Sequence, residues 1–515
     1  MIDNAVALIA FPDYATEQSG KLFVWDGSKL TDRSFQQVSC LDKAIVTLEY
    51  PAIASEMISQ GYKMPSLTID LEDVVVAVSK KPKVSKIRKE FHSGKLLKRF
   101  GLSDEDFTDF DKLTYSSASF DANLLTQVGQ SMLRAFRVLS RLASIRDEWK
   151  RLIEVETPVR AVLSNDILSG IRFDTTKLTE FRKRLEFDYY KALKNFSAKH
   201  NLPLEVPSRK NLERILRTEG FDLENVSLDY ILDYIGLENN FGEDVRNLQE
   251  LKSTRDALNG ISHKKSTTYP SIISQGTRTS RIILKSPSLQ NISKKYRSVL
   301  VPPEGKQFSY IDYDQFEVGI MAVLSSDPVL LKLYKTNDLY QNMALKLFNN
   351  KAKRKQAKKL FLSYAYGMKR RNLINAAVGF GSTKSKAKTA FNQFTAFELW
   401  KKEVAKEISK SRRIGTIKGN YYYLPHKHKP SDKEIRSGVS QKVQGTGALI
   451  FKLALLEIGK LPEFRLVLPM HDAALVEHSP EVDAKAIITV FENTMSTFFK
   501  NKIQGKASIS NFATE

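Results

Sequence analysis

One cysteine, Cys40, and seven histidines are all that 515 residues offer in the way of soft or borderline metal ligands. A single thiol excludes an internal disulfide framework, and the scattered histidines give no zinc-ligand spacing. Both absences suit a reducing compartment. Long uncharged apolar runs are missing as well, since none approaches the roughly 18 residues needed to span a bilayer. The N-terminal stretch Met-Ile-Asp-Asn-Ala-Val-Ala-Leu-Ile-Ala-Phe lacks the basic flank of an export signal, and its apolar part has the length of a strand. A soluble, cytoplasmic protein with no membrane partner is expected. Negative charge is also short, with 58 Asp plus Glu against 80 Lys plus Arg and a formal net charge of +22. Such a surplus attracts polyanions and releases their counterions on binding, which points to nucleic acid, although a generally basic, solvated surface has the same composition.

The apolar share of 42% is ordinary for a globular chain, and the length implies three or four units rather than one core. Residues 1–120 pattern as mixed α/β, with strands expected at Val6–Phe11, Leu22–Trp25 and Ala44–Glu49, a helix around Ile53–Gln60 and a loop at Lys80-Lys81-Pro82-Lys83. Met132, Phe136, Leu139 and Leu142 recur at helical spacing, so the chain from Ala122 to about Ile153 reads as a linking helix. Residues 175–260 read as helical and basic, with Arg182, Lys183, Arg184, Lys191, Lys194 and Lys199 on one stretch. Between Asn259 and Ser280 the composition turns to Ser, Thr, Gly and His, which marks a boundary. Short strands follow, then a helical block from Pro328 to about Ser409, a hairpin near Lys418–Leu424, a helix near Glu434–Ile458 and a second hairpin. There is no internal repeat.

Two aspartates gain meaning from their company: Asp312 in Ser-Tyr-Ile-Asp-Tyr-Asp-Gln-Phe-Glu (309–317) and Asp472 in Leu-Pro-Met-His-Asp (468–472). An aspartate at the end of a strand is ordinarily a turn initiator. Two that meet on adjacent strands can hold a pair of Mg²⁺ ions, the minimum equipment for moving a nucleotidyl group onto a hydroxyl. Between them Arg354, Lys358, Leu362 and Tyr366 recur every four residues along one helical face. The cations suit the oxygens of a triphosphate, Tyr366 offers a flat surface to a base, and Gly367 lets the helix end. Lys351, Lys353, Lys355 and Lys359 crowd the same stretch, so by itself it also fits a basic surface helix.

In order, Asp312-Tyr-Asp-Gln-Phe-Glu317, Arg354-x3-Lys358-x7-Tyr366-Gly367 and His471-Asp472 resemble motifs A, B and C of the family A DNA polymerases. Thr279-Ser280-Arg281 with Pro287-Ser288-Leu289-Gln290-Asn291-Ile292 is similar to the family's Thr-Gly-Arg and Pro-Asn-Leu-Gln-Asn-Ile segment. Thr416-Ile417-Lys418-Gly419-Asn420-Tyr421-Tyr422-Tyr423-Leu424-Pro425 resembles its Thr-x-x-Gly-Arg-Arg-Arg-Tyr-Leu-Pro hairpin, Arg436 and Gln444-Gly445-Thr446 its helix before motif C, and Glu156-Thr157-Pro158 the start of its polymerase portion. The likeness covers roughly residues 154–480. It implies an α+β multidomain fold, a right-hand polymerase preceded by an exonuclease-like (RNase H-like) α/β domain. The units would be 1–122 (degenerate 3′–5′ exonuclease-like), 123–153 (linking helix), 154–264 (polymerase start and thumb), 265–327 (first part of the palm), 328–432 (fingers) and 433–515 (second part of the palm).

The same resemblance implies a template-directed, primer-dependent DNA polymerase whose partners are primer–template DNA and deoxynucleoside triphosphates. Asp312, Asp472 and the Tyr313 main-chain carbonyl would hold two Mg²⁺ ions. Arg354 and Lys358 would bind the triphosphate, with Lys358 also protonating the leaving group. Gln315, Glu317, Leu362 and Tyr366 would complete the nucleotide site, and Arg281, Gln290, Asn291, Arg436, Ser440, Gln444 and His471 would contact primer and template. A side chain as large as Glu317 beneath the sugar excludes a 2′-hydroxyl and favours deoxynucleotides.

Several positions depart from the family. Leu362 stands in place of Phe or Tyr, Gly319 of Arg, Ala473 of Glu, Ser440 of Asn and Tyr340 of His. The first strand gives Phe11-Pro12-Asp13-Tyr14-Ala15 where an exonuclease needs Asp-x-Glu, and Tyr115 and Asp121 are six apart; Asp70 and Asp121 are the remaining echoes of such a site. A polymerase without proofreading is therefore expected. The alternatives are a catalytically silent DNA-binding protein on the same fold, or a polymerase of altered sugar or template range. A short chain with a worn exonuclease region and no 5′ nuclease region suggests a phage or other mobile element.

Overall fold

A computed structural model describes residues 4–514 except 12–19, 82, 92, 114–119, 224–225, 263–265, 337 and 425–428. The N-terminal unit is built on β1 (Val6–Phe11), which pairs antiparallel with β2 (Lys21–Trp25), itself antiparallel to β3 (Leu30–Arg33). On its other side β1 pairs parallel with β4 (Ile45–Thr47), followed in parallel by β5 (Thr68–Asp70). β1 is a continuous apolar run because both its faces are covered. Val6 and Leu8 pack with Tyr50, Ile53 and Met57 of α1 (Tyr50–Ser59), whereas Ala7, Ile9 and Phe11 pack with Val128 and Met132 of α2 (Ala122–Ile145).

The expected single linking helix is broken. Beyond Ile145 the left-handed Asp147 (φ 60°) redirects the chain into a short turn at Trp149–Arg151, a π-helical turn at Leu152–Glu156, and then α3 (Thr157–Ile167). Pro158 explains the wider turn: without an N–H it cannot close an α-helical bond onto the residue four before it. α4 (Thr175–His200) begins at Asp174, whose side chain accepts the Lys177 N–H (2.9 Å), and lies against α5 (Phe241–Asn259). The basic face expected here is partly spent on that packing, because Arg182 donates to the carbonyls of Leu258 (3.1 Å) and Ile261 (2.6 Å).

The remaining chain surrounds a four-stranded antiparallel sheet. The elements that position the site are, in order, β6 (Gln307–Tyr313), α6 (Phe316–Ser325), α7 (Leu339–Phe348), α8 (Arg354–Ala365), α9 (Thr395–Ser411), the hairpin β7 (Arg413–Thr416) and β8 (Gly419–Tyr423), and α10 (Asp432–Ile458), with further helices at Pro328–Thr336, Arg370–Gly379 and Lys384–Asn392. The hairpin β9 (Arg465–Pro469) and β10 (Ala473–His478), α11 (Lys485–Phe498) and β11 (Ala507–Ile509) complete it. The sheet order is β9-β10-β6-β11. α10 starts on a capping box in which Ser431 and Glu434 satisfy each other's backbone N–H groups, then runs largely buried against α6, α9, α11 and the β7–β8 hairpin. Among the described residues no helix is long and apolar enough to cross a membrane.

Candidate active site

β6 places Asp312 directly opposite Ala473 of β10 and Ser508 of β11. Asp472 sits in the tight turn between β9 and β10, where the Met470 N–H donates to the Ala473 carbonyl (2.7 Å) and the Tyr313 N–H to the Asp472 carbonyl (3.3 Å). The two carboxylates therefore meet across neighbouring strands. Burial first, then the charges of Asp472 and Asp314, pushes the Asp312 carboxyl up to about 7, against the pull of Lys358 and Lys294. Asp472 is also raised by burial, opposed by His471, Arg281 and Lys358.

Two half-buried acids on neighbouring strands, each with its carboxyl raised, ask for a cation between them. Among the described residues there is no group of three or more His, Cys, Asp or Glu that would cage a metal unaided. That donor set fits Mg²⁺, which is commonly held by one or two carboxylates with waters and substrate phosphates completing the shell. The Tyr313 backbone is well anchored for a ligand role: its ring stacks on Phe316 at 4.1 Å between centroids and its hydroxyl donates to the Phe491 carbonyl (3.0 Å). The departure at Gly319 has a local reason: a Cβ there would lie 2.7 Å from Met495 and 2.8 Å from Tyr334. Ala473, opposite Asp312, has no structural explanation.

α8 supplies the cationic wall. Lys358 lies within electrostatic reach of both aspartates and pulls both carboxyls down, and its ammonium lies 5.5 Å from the ring centroid of Tyr340 on α7. Arg354 is 5.3 Å from the same ring and donates through Nε (2.8 Å) and Nη2 (2.6 Å) to Asp338. Leu362 is partly buried against the core, and Tyr366 ends the helix. Gly367 follows at φ 88°, and a Cβ there would fall 2.8 Å from Arg436, so glycine permits both the turn and the approach of that arginine.

Glu317, at the start of α6, forms the floor. Arg281 reaches it at 3.5 Å, and the Tyr366 hydroxyl and Gln444 amide face it; burial raises its carboxyl. Ser440 donates to Gln444 (3.0 Å), and His471 lies beside Arg281 at the rim. Asn291 is exposed. Two expected contacts are turned inward instead. Gln290 donates to the Pro469 carbonyl (2.6 Å) and accepts the Leu284 N–H (3.0 Å), which braces the hairpin carrying Asp472. Gln315 accepts the Leu339 N–H (2.9 Å) and ties the sheet to α7. Asp338 and Asp314, which spacing did not single out as site residues, belong to this neighbourhood.

In the N-terminal unit, Asp121 caps α2 through the Asn123 N–H (2.8 Å) and Asp70 accepts the Glu72 N–H (2.8 Å). Arg160 of α3 pairs with Asp70 (3.5 Å) and with Asp73, which also binds Arg88. Guanidinium groups thus occupy the surroundings of these acids. Residues Pro12–Ala15 and Tyr115 lie outside the described residues.

Comparison with known proteins agrees with this arrangement. DNA polymerase I of Aquifex aeolicus is 28% identical over 370 residues, 66% of this chain and 62% of that protein. The thermostable DNA polymerase I of Thermus aquaticus is 26% identical over 385 residues, again 66% of this chain but 45% of its own length. That of Borreliella burgdorferi is 27% identical over 60% of this chain and 36% of its own. The chain thus spans about half the length of the curated relatives it matches. The POL domain of Pol1 from M. smegmatis, solved in complex with DNA primer-template and dNTP, superposes with a TM-score of 0.74 at 17% identity, over 98% of this chain and 94% of that one. The fold is accordingly the right-hand polymerase fold. The pattern of DNA polymerase family A itself matches residues 235–510, which takes in both aspartates, the cationic helix and the hairpin between them. With more than half of its length inside that match, the chain belongs to DNA polymerase family A.

Proposed function

We propose that this protein is a template-directed, primer-dependent DNA polymerase that adds deoxynucleotides to a primer 3′-hydroxyl. The observation that carries the reading is the meeting of Asp312 and Asp472 across adjacent strands with the Lys358 charge within electrostatic reach of both. Two Mg²⁺ ions held by Asp312, Asp472 and the Tyr313 carbonyl would supply a more acidic primer hydroxyl and neutralising charge for the triphosphate. Arg354 and Lys358 bind the triphosphate, and Lys358 Nζ gives its proton to the departing pyrophosphate oxygen. Tyr366 packs beside the templating pair above Glu317, while Arg281, Asn291, Arg436, Ser440, Gln444 and His471 line the primer–template path. In this reading residues 154–264 serve as thumb, 265–327 and 433–515 as palm and 328–432 as fingers.

The N-terminal unit, 1–122, serves as an exonuclease-like domain without excision chemistry, since Asp70 and Asp73 are held by arginines and the described β1 carries no acid. Extension of a 5′-labelled primer on a DNA template with Mg²⁺ tests both parts. Lengthening with deoxynucleotides and an intact primer without them is expected. Shortening without nucleotides would restore proofreading to the protein, and binding without extension would leave a silent DNA-binding protein.

Glu317→Ala should raise ribonucleotide incorporation relative to deoxynucleotide by about tenfold to a hundredfold, the worth of one steric exclusion of this kind. The ratio of kcat/KM for matched ribo- and deoxynucleoside triphosphates measures it. An unchanged ratio would remove Glu317 as the sugar gate.

A further inference from the structure

The turn from Gly276 to Arg281 carries Arg281 into the cleft, and buried groups hold it from beneath. It is closed on itself by the Gly276 N–H to the Arg281 carbonyl (2.9 Å) and by the Arg281 N–H to Thr277 Oγ1 (3.0 Å). Ser280 stands at φ 61°, a backbone conformation that favours glycine. Its hydroxyl donates to Glu156 Oε1 (2.8 Å) and accepts from Lys452 Nζ (2.8 Å), while Lys452 also donates to Glu156 Oε2 (2.6 Å). Lys452 and Glu156 are only 1% and 3% exposed. Glu156 is presented by the π-helical turn before Pro158, and Lys452 by the middle of α10.

The same charges hold the opposite wall. Arg151 binds Glu156 and donates through Nε to Glu148 (2.9 Å). The two oxygens of Glu148 accept the backbone N–H groups of Asn420 (3.0 Å) and Tyr421 (3.0 Å) in the β7–β8 hairpin. The Arg278 guanidinium lies 4.2 Å over the Tyr422 ring, so turn and hairpin also touch each other. One buried chain of two carboxylates and two cations thus ties both walls to each other and to α10.

We propose that Ser280 and Lys452 are positioning residues for primer–template: the hydroxyl, gripped by the Lys452–Glu156 pair, sets where Arg281 meets the primer end and Glu317. The proposal rests on the polymerase reading above. A glycine at 280 would satisfy the backbone at no steric cost, so the serine is explained by what its hydroxyl does. Hydrogen bonds to charged partners are short and directional, and a buried ion pair adds little net stability because desolvation offsets its attraction. Small displacements of groups that orient a substrate have large effects on its use.

The test is Ser280→Gly in the full chain, measured with a fluorescently labelled primer–template. Tm should hold or rise, because glycine accepts the left-handed backbone. The Kd for primer–template should rise by about tenfold, while the KM for deoxynucleotide at saturating duplex stays within about twofold, a split that a merely structural role would not give. Lys452→Met should weaken duplex binding similarly, and adding Ser280→Gly to it should change nothing more, since the hydroxyl works through that pair. Should Lys452→Met fail to fold, Ser280→Gly decides alone. Wild-type duplex affinity in Ser280→Gly, with a wild-type protein that extends primers, overturns the positioning role and leaves the polymerase intact. Failure of the wild type to extend primers overturns both.

Discussion

Replacing Asp312 or Asp472 by asparagine should lower primer extension at least about a thousandfold, a loss of about 4 kcal/mol in transition-state stabilisation. Primer–template affinity should stay within a few fold, because in the proposed reading other residues along the cleft hold the duplex. Asparagine keeps the shape and one oxygen but removes the charge that a divalent ion requires. The same substitution relieves a cost of folding. Asp312 is half-buried in the field of Asp472 and Asp314, and its carboxyl is pushed up to about 7, so its ionised form counts against the metal-free fold. Asp312→Asn should therefore raise the metal-free Tm while abolishing extension, the opposition expected where function is bought with stability. Calorimetry and single-turnover extension on the same preparation check both. Extension that survives either change would sink the metal assignment, and a lowered Tm would show that activity fell with the fold.

How far such features can be read from the sequence depends on whether they are local. β1 was legible because a strand covered on both faces is written as one apolar run. Arg354, Lys358 and Tyr366 were legible because helical spacing is local, and Gly367 because only glycine suits φ 88° against Arg436. The break after Ile145 was not legible: Pro158 is visible, but the π-helical turn that absorbs it depends on Glu156 finding Arg151 and Lys452. Lys452 is 296 residues from Glu156, beyond any spacing argument. Gln290 and Gln315 show the converse. Both stand in motif positions, yet their amides are engaged by the backbone of Pro469 and Leu339, partners that exist only once the sheet has formed.

The two cations of α8 should separate in their kinetics. Lys358 lies within electrostatic reach of the aspartates and, among the described residues, makes no direct ion pair, so in the proposed reading its charge is available to the reacting phosphates. Arg354 is already committed to Asp338 through two hydrogen bonds and must exchange them for a phosphate oxygen or share them with it. Lys358→Met should consequently cut kcat by about a hundredfold to a thousandfold, combining the loss of a proton donor with the loss of charge at the leaving group. Arg354→Met should act mainly on binding, raising the KM for deoxynucleotide about tenfold to a hundredfold with a smaller change in kcat. Asp338→Asn offers the internal control: it loosens the hold on Arg354 and should leave kcat within a few fold if the carboxylate's part is to orient the arginine. Pre-steady-state incorporation with each variant resolves the split. Equal losses in kcat and KM for Lys358→Met and Arg354→Met would merge the two roles into one undivided phosphate clamp.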